Sequence, residues 1–178
     1  MIIANNDNPE PVVLTEALPG QAQIIQNLMQ LYTHDFSKFW AGTSRGDLNP
    51  DGRFDAYPLD EYWSRPNWSA LLIWRNDVLA GFSLVNDQTH SGEAANRNVA
   101  EFFILRKHRC QGVGQFAARS IFSLHPGTWE AAVARKNVRA REFWRKTIQE
   151  GGKASDIREL DLQSARWNGP IFRFEWRI

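Results

Sequence analysis

One stretch constrains the fold of this chain more than any other: Val99-Ala100-Glu101-Phe102-Phe103-Ile104-Leu105, then Arg106-Lys107-His108-Arg109-Cys110-Gln111-Gly112-Val113-Gly114. The first seven residues are almost wholly apolar and read as a strand buried on both faces. A basic turn with two glycines follows. Val113, Phe116, Ala117, Ile121 and Leu124 then recur at helical spacing and predict a helix over Gly112–Leu124, stopped by His125-Pro126-Gly127. Glycine lets a ligand approach the backbone closely. The first turn of a helix offers unpaired N–H groups and the positive end of its dipole. Strand, basic glycine turn and helix together make a cradle for a pyrophosphate.

The rest of the chain supplies a sheet for that unit. Val12–Leu14 reads as a short strand. Pro19-Gly20 open a helix that carries Ile24, Ile25, Leu28, Leu31 and Tyr32 inward and runs to about Phe36. Ala41–Pro66 is punctuated by Gly42, Gly46, Asn49-Pro50, Asp51-Gly52, Pro58 and Pro66, with a short helix at Leu59–Trp63. Phe54, Tyr57, Tyr62, Trp63 and Trp68 make it too aromatic for disorder, so it reads as a packed lid. Leu71–Trp74 and Val78–Val85 are strands, the second apolar on both faces. Trp129–Val133 is another. Asn137 caps a helix to about Ile148, and two strands close the chain near Asp156–Leu160 and Ile171–Arg177. The expected class is mixed α/β (α+β), in one domain over residues 1–178.

Composition narrows the function. With 43 % hydrophobic and 23 % charged residues the chain folds rather than staying disordered. A formal net charge of +1 argues against a polybasic nucleic-acid or membrane binder. That near-neutrality hides a polarity. Arg106–Lys146 holds ten basic and two acidic residues, whereas residues 1–70 hold four basic and nine acidic ones. The second half suits an anion and the first half a neutral or cationic partner. A single cysteine, Cys110, excludes a disulfide framework and a multi-cysteine zinc site. The start has no basic region or long apolar run, so no signal peptide is expected, and a cytoplasmic setting is. Asp47-x-Asn49-x-Asp51-Gly52 matches half of a calcium loop, but Pro58 stands where the bidentate glutamate belongs, and Asn-Pro-Asp-Gly is a turn in its own right. No metal is expected.

Three known cradles compete. A P-loop needs Lys-Ser/Thr after its last glycine, and Gln115-Phe116 follows here. Gly112-Val-Gly114-Gln-Phe-Ala117 also reads as the G-x-G-x-x-A of a dinucleotide fold, with Glu130 near the acidic position of that fingerprint. Against it, Arg106–Gln111 separates the strand from the first glycine, and too little chain follows for the remaining βα units. Arg109-x-x-Gly112-x-Gly114 after an apolar strand resembles the acetyl-coenzyme A signature Q/R-x-x-G-x-G/A of the GNAT N-acetyltransferase superfamily. Asn137-x-x-Ala140-x-x-Phe143-Trp144 resembles that family's second signature, N-x-x-A-x-x-F-Y. The resemblance covers about residues 10–178 and is strongest over 99–148.

The resemblance implies a mixed, mostly antiparallel central sheet flanked by helices, with two parallel strands, Val99–Leu105 and Trp129–Val133, splayed around the pantetheine of acetyl-coenzyme A. It implies acetyl transfer to a primary amine of a small-molecule or peptide acceptor, by direct attack in a ternary complex. Ile104 and Leu105 would offer backbone groups to the pantetheine. Arg109, Cys110, Gln111, Gly112, Val113 and Gly114 would bind the pyrophosphate, with Cys110 at a variable position of the signature. Asn137 would lie beside the pantetheine, with Ala140 and Phe143 near its thiol end. Arg106, Lys107, Arg139 and Arg145 would attract the 3′-phosphate.

The departures point to the chemistry. Trp144 stands where the family places a tyrosine that protonates the departing thiolate, and an indole N–H delivers no proton. Tyr32, a candidate catalytic residue, lies on the first helix, which the resemblance places beside the acceptor site, and a thiol of pKa roughly 8.5 can leave without a dedicated acid. Glu101, a carboxylate out of place on an apolar strand, is the first candidate base; His34 and Asp35 are the second. His34, Tyr57, Tyr62 and Trp63 are the candidate acceptor site, where an ammonium would rest on aromatic faces. Trp144 also keeps open an alternative, a non-catalytic coenzyme A-binding or interaction module on the same fold.

Overall fold

In the computed structural model, which describes residues 2–4 and 11–177, the strands are β1 (Ile2–Ala4), β2 (Val12–Glu16), β3 (Ser69–Arg75), β4 (Val78–Asn86), β5 (Arg97–Ile104), β6 (Gly127–Ala132), β7 (Ala154–Gln163) and β8 (Asn168–Trp176). Most of the N-terminal stretch read as free of a signal peptide lies outside the described residues. The strands form one sheet in the order β1-β2-β3-β4-β5-β6-β8-β7. Every pairing is antiparallel except β5 with β6. The mixed, mostly antiparallel class expected from the sequence is the one observed. Among the described residues no helix is long and apolar enough to cross a membrane.

Three helices cover the sheet: α1 (Ala22–Ser37), α2 (Val113–Leu124) and α3 (Val138–Gln149). Ile25, Leu28 and Met29 of α1 pack with Leu72, Phe82, Leu84 and Phe103 on one face. Ala117 and Ile121 of α2 and Trp144 and Ile148 of α3 pack with Ile73, Val99, Trp129 and Phe172 on the other. Leu72, Phe82 and Leu84 lie beside Ile73 and Val85 and all are fully buried, as the apolar runs of β3 and β4 require.

Two irregularities shape the middle of the sheet. The β5–β6 register stops at Val99↔Ala131, while β5 runs on to Ile104, so the parallel pair opens into a gap. In the β4–β5 ladder Leu84 faces Glu101 but Val85 faces Val99, which leaves Ala100 as the extra residue of a bulge. The bulge breaks the alternation of side chains. Val99 packs on the α2–α3 face, whereas Ala100 and Phe103 pack on the α1 face. Glu101 is thereby turned towards α1.

The lid, residues 41–66, is ordered by α1. Gln30 Nε2 donates to the Phe54 carbonyl at 3.1 Å and its Oε1 accepts the Phe54 N–H at 2.8 Å. One turn earlier Gln26 does the same for Tyr57, at 2.6 and 3.2 Å. The two amides give an irregular segment the backbone partners that a strand would have had. In the tip, Gly52 N–H donates to the Asn49 carbonyl at 2.8 Å and Arg53 N–H to Asp51 Oδ1 at 3.1 Å, so the half calcium motif is a turn. The expected helix at Leu59–Trp63 is a 3₁₀ turn, Asp60–Trp63.

Candidate active site

The cradle forms where β5 ends. Cys110 and Gly112 both adopt left-handed backbone, at φ +59° and +78°, and Gly112 caps α2. The first intrahelical bond runs from Phe116 N–H to the Gly112 carbonyl at 2.9 Å. The N–H groups of Val113, Gly114 and Gln115 are therefore those a helix leaves without internal partners. A Cβ built on Gly112 meets nothing within 4 Å, and one on Gly114 comes within 3.3 Å of Phe143 and 3.4 Å of Ile104. Open space over one glycine and a close wall behind the other fit a pyrophosphate laid on the helix N-terminus.

Arg109 holds the turn in place. Its Nε donates to the Ile104 carbonyl at 2.6 Å and its Nη2 to Asp35 Oδ2 at 2.6 Å, and its guanidinium lies over Phe103. Arg106 donates through Nε to the other Asp35 oxygen at 2.9 Å. Burial works to raise the Asp35 carboxyl, but the two guanidiniums outweigh it and hold it below the usual range. Asp35, read with His34 as a second candidate base, is an anchor between α1 and the cradle. His34 itself is exposed.

From the cradle a cleft of about 540 Å³ runs between α1 and α3. Ile104, Arg109, Cys110, Gly112 and Gly114 line one end; Asn137, Ala140, Phe143 and Trp144 form the α3 wall; Tyr32, Phe36 and Phe39 form the α1 wall. Asn137 caps α3, its side chain accepting the Ala140 N–H at 3.2 Å. Gln111 donates to the Lys107 carbonyl at 2.8 Å, and Val113 is buried beneath the turn. Leu105 N–H donates to the Ala80 carbonyl at 2.8 Å, so the β5 backbone turns that residue towards β4. Alternation then turns Phe102 and Ile104 towards the gap. Phe102, which the sequence marks only as a strand residue, lines the cleft and stacks on Phe143 at 5.7 Å. Of the four basic residues expected near the 3′-phosphate, Arg139 lines the cleft, while Arg106 pairs with Asp35 and Arg145 with Glu159. Lys38 and Lys146 line it too.

The second cluster sits on the other side of β5. The chain contains three tyrosines, and all converge on Glu101. The Tyr32 and Tyr57 hydroxyls lie against the Glu101 carboxylate, and Tyr62 lies against Tyr57 and the Asn86 side chain. Burial pushes the Glu101 carboxyl up to about 7, against the pull of the two hydroxyls and of Arg45. Burial and the Glu101 charge push the Tyr32 and Tyr57 hydroxyls up, so both keep their protons and donate. Asn86 is fixed in turn by Asn98, whose Nδ2 donates to it at 3.0 Å.

Two lid residues have other partners. Tyr62 is 4 % exposed and packs on Trp68 at 4.9 Å. Trp63 donates its indole N–H to the Ala17 carbonyl at 2.7 Å. Both sit as packing residues, and Tyr57 is the lid side chain that touches Glu101. Trp144, 6 % exposed, packs on Phe102, Phe122 and Phe143. Cys110 is exposed in the cradle turn. Among the described residues no group of three or more His, Cys, Asp or Glu is placed to hold a metal.

A strand opened from its parallel neighbour, a glycine turn at its end and a raised carboxylate at its bulge meet around α1. The model of the acetyltransferase (GNAT) family matches residues 25–148, and the chain belongs to that family. Its members use acetyl-coenzyme A. Solved structures repeat the fold at low identity. An acetyltransferase from Thermus thermophilus is 15 % identical, over 94 % of this chain and 97 % of that chain, with a TM-score of 0.61. A GNAT-family acetyltransferase from Staphylococcus aureus is 10 % identical, over 92 % and 98 %, with a TM-score of 0.60. An Arabidopsis thaliana protein in complex with the bisubstrate analogue CoA-Ac-MVNAL is 14 % identical, over 94 % and 99 %, with a TM-score of 0.53. No curated protein matches in sequence.

Proposed function

We propose that this chain, as one domain, is an N-acetyltransferase that moves the acetyl group of acetyl-coenzyme A to a primary amine by direct attack in a ternary complex. The observation that carries the reading is the position of Glu101: at the bulge of β5, against Tyr32, which lines the cleft, with burial raising its carboxyl to about 7. A carboxylate in that range takes a proton near neutral pH, as an ammonium acceptor requires. Gly112, Gly114 and the N–H groups at the start of α2 hold the pyrophosphate, and Phe102 and Ile104 present backbone groups along the gap. Asn137, Ala140 and Phe143 wall the pantetheine, and Arg139 faces the nucleotide phosphates. Acetyl-coenzyme A supplies the activated acyl group.

Glu101 takes a proton from the acceptor ammonium, and the freed lone pair forms the C–N bond at the thioester carbonyl as the C–S bond breaks. Tyr32 touches Glu101 and lines the cleft, so it gives its proton to the departing thiolate and recovers one from Glu101. The thiolate's pKa, roughly 8.5, lies above that of Glu101, so the transfer runs downhill although the tyrosine alone is a weak acid. The attacking nitrogen sheds its second proton to the Glu101 carboxylate freed by that relay, and from there to solvent, so that net an ammonium and a thioester become an amide, a thiol and a released proton. Tyr32 thus fills the role that Trp144 lacks. Tyr32→Phe is expected to lower kcat about a hundredfold. Trp144→Phe leaves kcat within about tenfold, since the indole moves no proton. Steady-state thiol release measures both. The opposite ranking, with co-substrate binding intact in both variants, would return the acid role to position 144. Trp144 favours the second reading, a coenzyme A-binding module without turnover, which predicts binding and no amine-dependent thiol release from the wild type.

A further inference from the structure

We propose that the acceptor is an amine that also carries a carboxylate, with its ammonium at Glu101 and its carboxylate on the guanidinium of Arg45. The inference rests on the reading of Glu101 as the base and adds the class of molecule that reaches it.

Arg45 sits in the first turns of the lid. Its guanidinium lies 4.4 Å over the ring of Trp40. The lid is tight there: a Cβ on Gly46 would come within 2.5 Å of that same ring, and Thr43 N–H donates to the Trp40 carbonyl at 3.0 Å. Among the described residues Arg45, like Arg53, Arg97, Arg139, Arg166 and Arg177, is in no ion pair; of the three arginines seated over aromatic rings, Arg65 pairs with Glu61 and Arg109 with Asp35, and Arg45 alone has no carboxylate. A guanidinium held on an aromatic face and left without a carboxylate is a ready receiver for one, because its planar fork matches both oxygens.

Its place in the site gives the second observation. Trp40 packs on Phe36 at 5.7 Å, and Phe36 on Tyr32 at 4.8 Å, one turn apart along α1 and just beyond it. Tyr32 touches Glu101, and the charge of Arg45 is felt at both Glu101 and Tyr32. An aromatic wall therefore leads from the base to the cation. One end suits an ammonium, the other a carboxylate, and the rings between suit an apolar body. Two ring contacts, Tyr32–Phe36 and Phe36–Trp40, separate the two ends, so a short peptide and an ω-aminoalkanoate are the two shapes to compare. The negative charge of the first 70 residues does not oppose this, because the lid carboxylates Asp47, Asp51 and Asp55 are exposed to water, which weakens their hold on Arg45, and none of them pairs with it.

Steady-state acetylation of matched pairs tests the proposal in the wild type and in Arg45→Gln. The pairs are a tripeptide and its C-terminal amide, and an ω-aminoalkanoate and the alkylamine of equal length. The wild type should favour the carboxylate member of at least one pair by tenfold or more in kcat/KM, and the favoured pair tells peptide from aminoalkanoate. Arg45→Gln should collapse that ratio through the acceptor KM, and Arg45→Lys should restore part of it. Equal kcat/KM within both pairs in the wild type would overturn the proposal. So would an Arg45→Gln defect confined to the KM for acetyl-coenzyme A, which would place Arg45 on the co-substrate. Glu101→Gln, run on the same pairs, separates this claim from the one beneath it. If Glu101 is not the base, that variant keeps its turnover while the Arg45-dependent preference persists.

Discussion

Glu101→Gln should cost about a hundred- to a thousandfold in kcat and at the same time make the protein more stable above neutral pH. The first effect is the loss of a positioned base, which typically contributes a factor of 10² to 10⁴. Its pH dependence follows from the carboxyl at about 7. Below that value wild-type Glu101 is protonated and idle, so the rate ratio of wild type to variant is small. It grows as pH rises through 7, and shrinks again once the amine reaches its own pKa and needs no base. The second effect comes from linkage. The folded-state pKa is raised above the unfolded value of about 4.3, so the folded state holds this proton more tightly than the unfolded one. That contribution is fully present below pH 4 and is lost as pH rises through 7. Glutamine keeps the shape and cannot ionise, so its melting temperature should exceed that of the wild type at pH 8 and approach it at pH 4. Thermal melts and pH–rate profiles measure the two effects separately. A variant that loses activity without gaining stability at pH 8 would mean that the carboxylate is better solvated than its surroundings imply. Full activity would remove Glu101 from the chemistry.

Gly112→Val carries the other large effect, a loss of coenzyme A affinity of at least a hundredfold. Two causes act together. A side chain there points into the open space over the α2 N-terminus, where the pyrophosphate must lie. A β-branched residue also resists φ of +78°. Strain alone would lower the melting temperature without selecting against the ligand. Gly112→Ala, which adds one carbon, separates the causes: it should keep most of the fold and still weaken binding by tenfold or more in calorimetry. Unchanged affinity in both variants would reject the cradle.

The fold was legible because its signals are local. The apolar runs of β3, β4 and β5, the helical spacing of Ile25, Leu28 and Tyr32, and the cap at Asn137 each decide their own segment. The edge strand β7 was harder. Its ten residues carry Asp156, Arg158, Glu159 and Asp161, and their regularity comes from pairing with β8 and from Glu159 holding Arg141 and Arg145 of α3. None of that lies within the segment's own sequence.

The site divides in the same way. The turn from Arg109 to Gly114 is contiguous, so its glycines and the helix that follows are legible in the sequence. The cluster at Glu101 draws on α1, the lid and β5, and nothing in Tyr32, Tyr57 and Tyr62 as separate residues says that they meet. A bulge at Ala100 turns Glu101 towards them, and bulges leave no mark in an apolar pattern. Gln26 and Gln30 were missed for a similar reason. On a helix they look like solvated surface, yet they set the position of Tyr57 by binding its backbone. Four residues apart on one helix face and opposite a long loop, they were the one available signal. Asp35 shows the converse, a carboxylate beside His34 that resembled a base and instead pairs with Arg106 and Arg109.

The central claim is that the cleft and Glu101 serve one reaction, and the most direct measurement is thiol release from acetyl-coenzyme A with and without amine, in the wild type, Gly112→Val and Glu101→Gln. The account predicts release that depends on the amine, with an acetylated amine formed in equal amount. It predicts loss through the co-substrate in Gly112→Val, and loss in kcat with co-substrate affinity retained in Glu101→Gln. A wild type that binds coenzyme A tightly yet releases no thiol with any amine, under conditions where Glu101 is ionised, would contradict it and leave a binding module on an acetyltransferase fold.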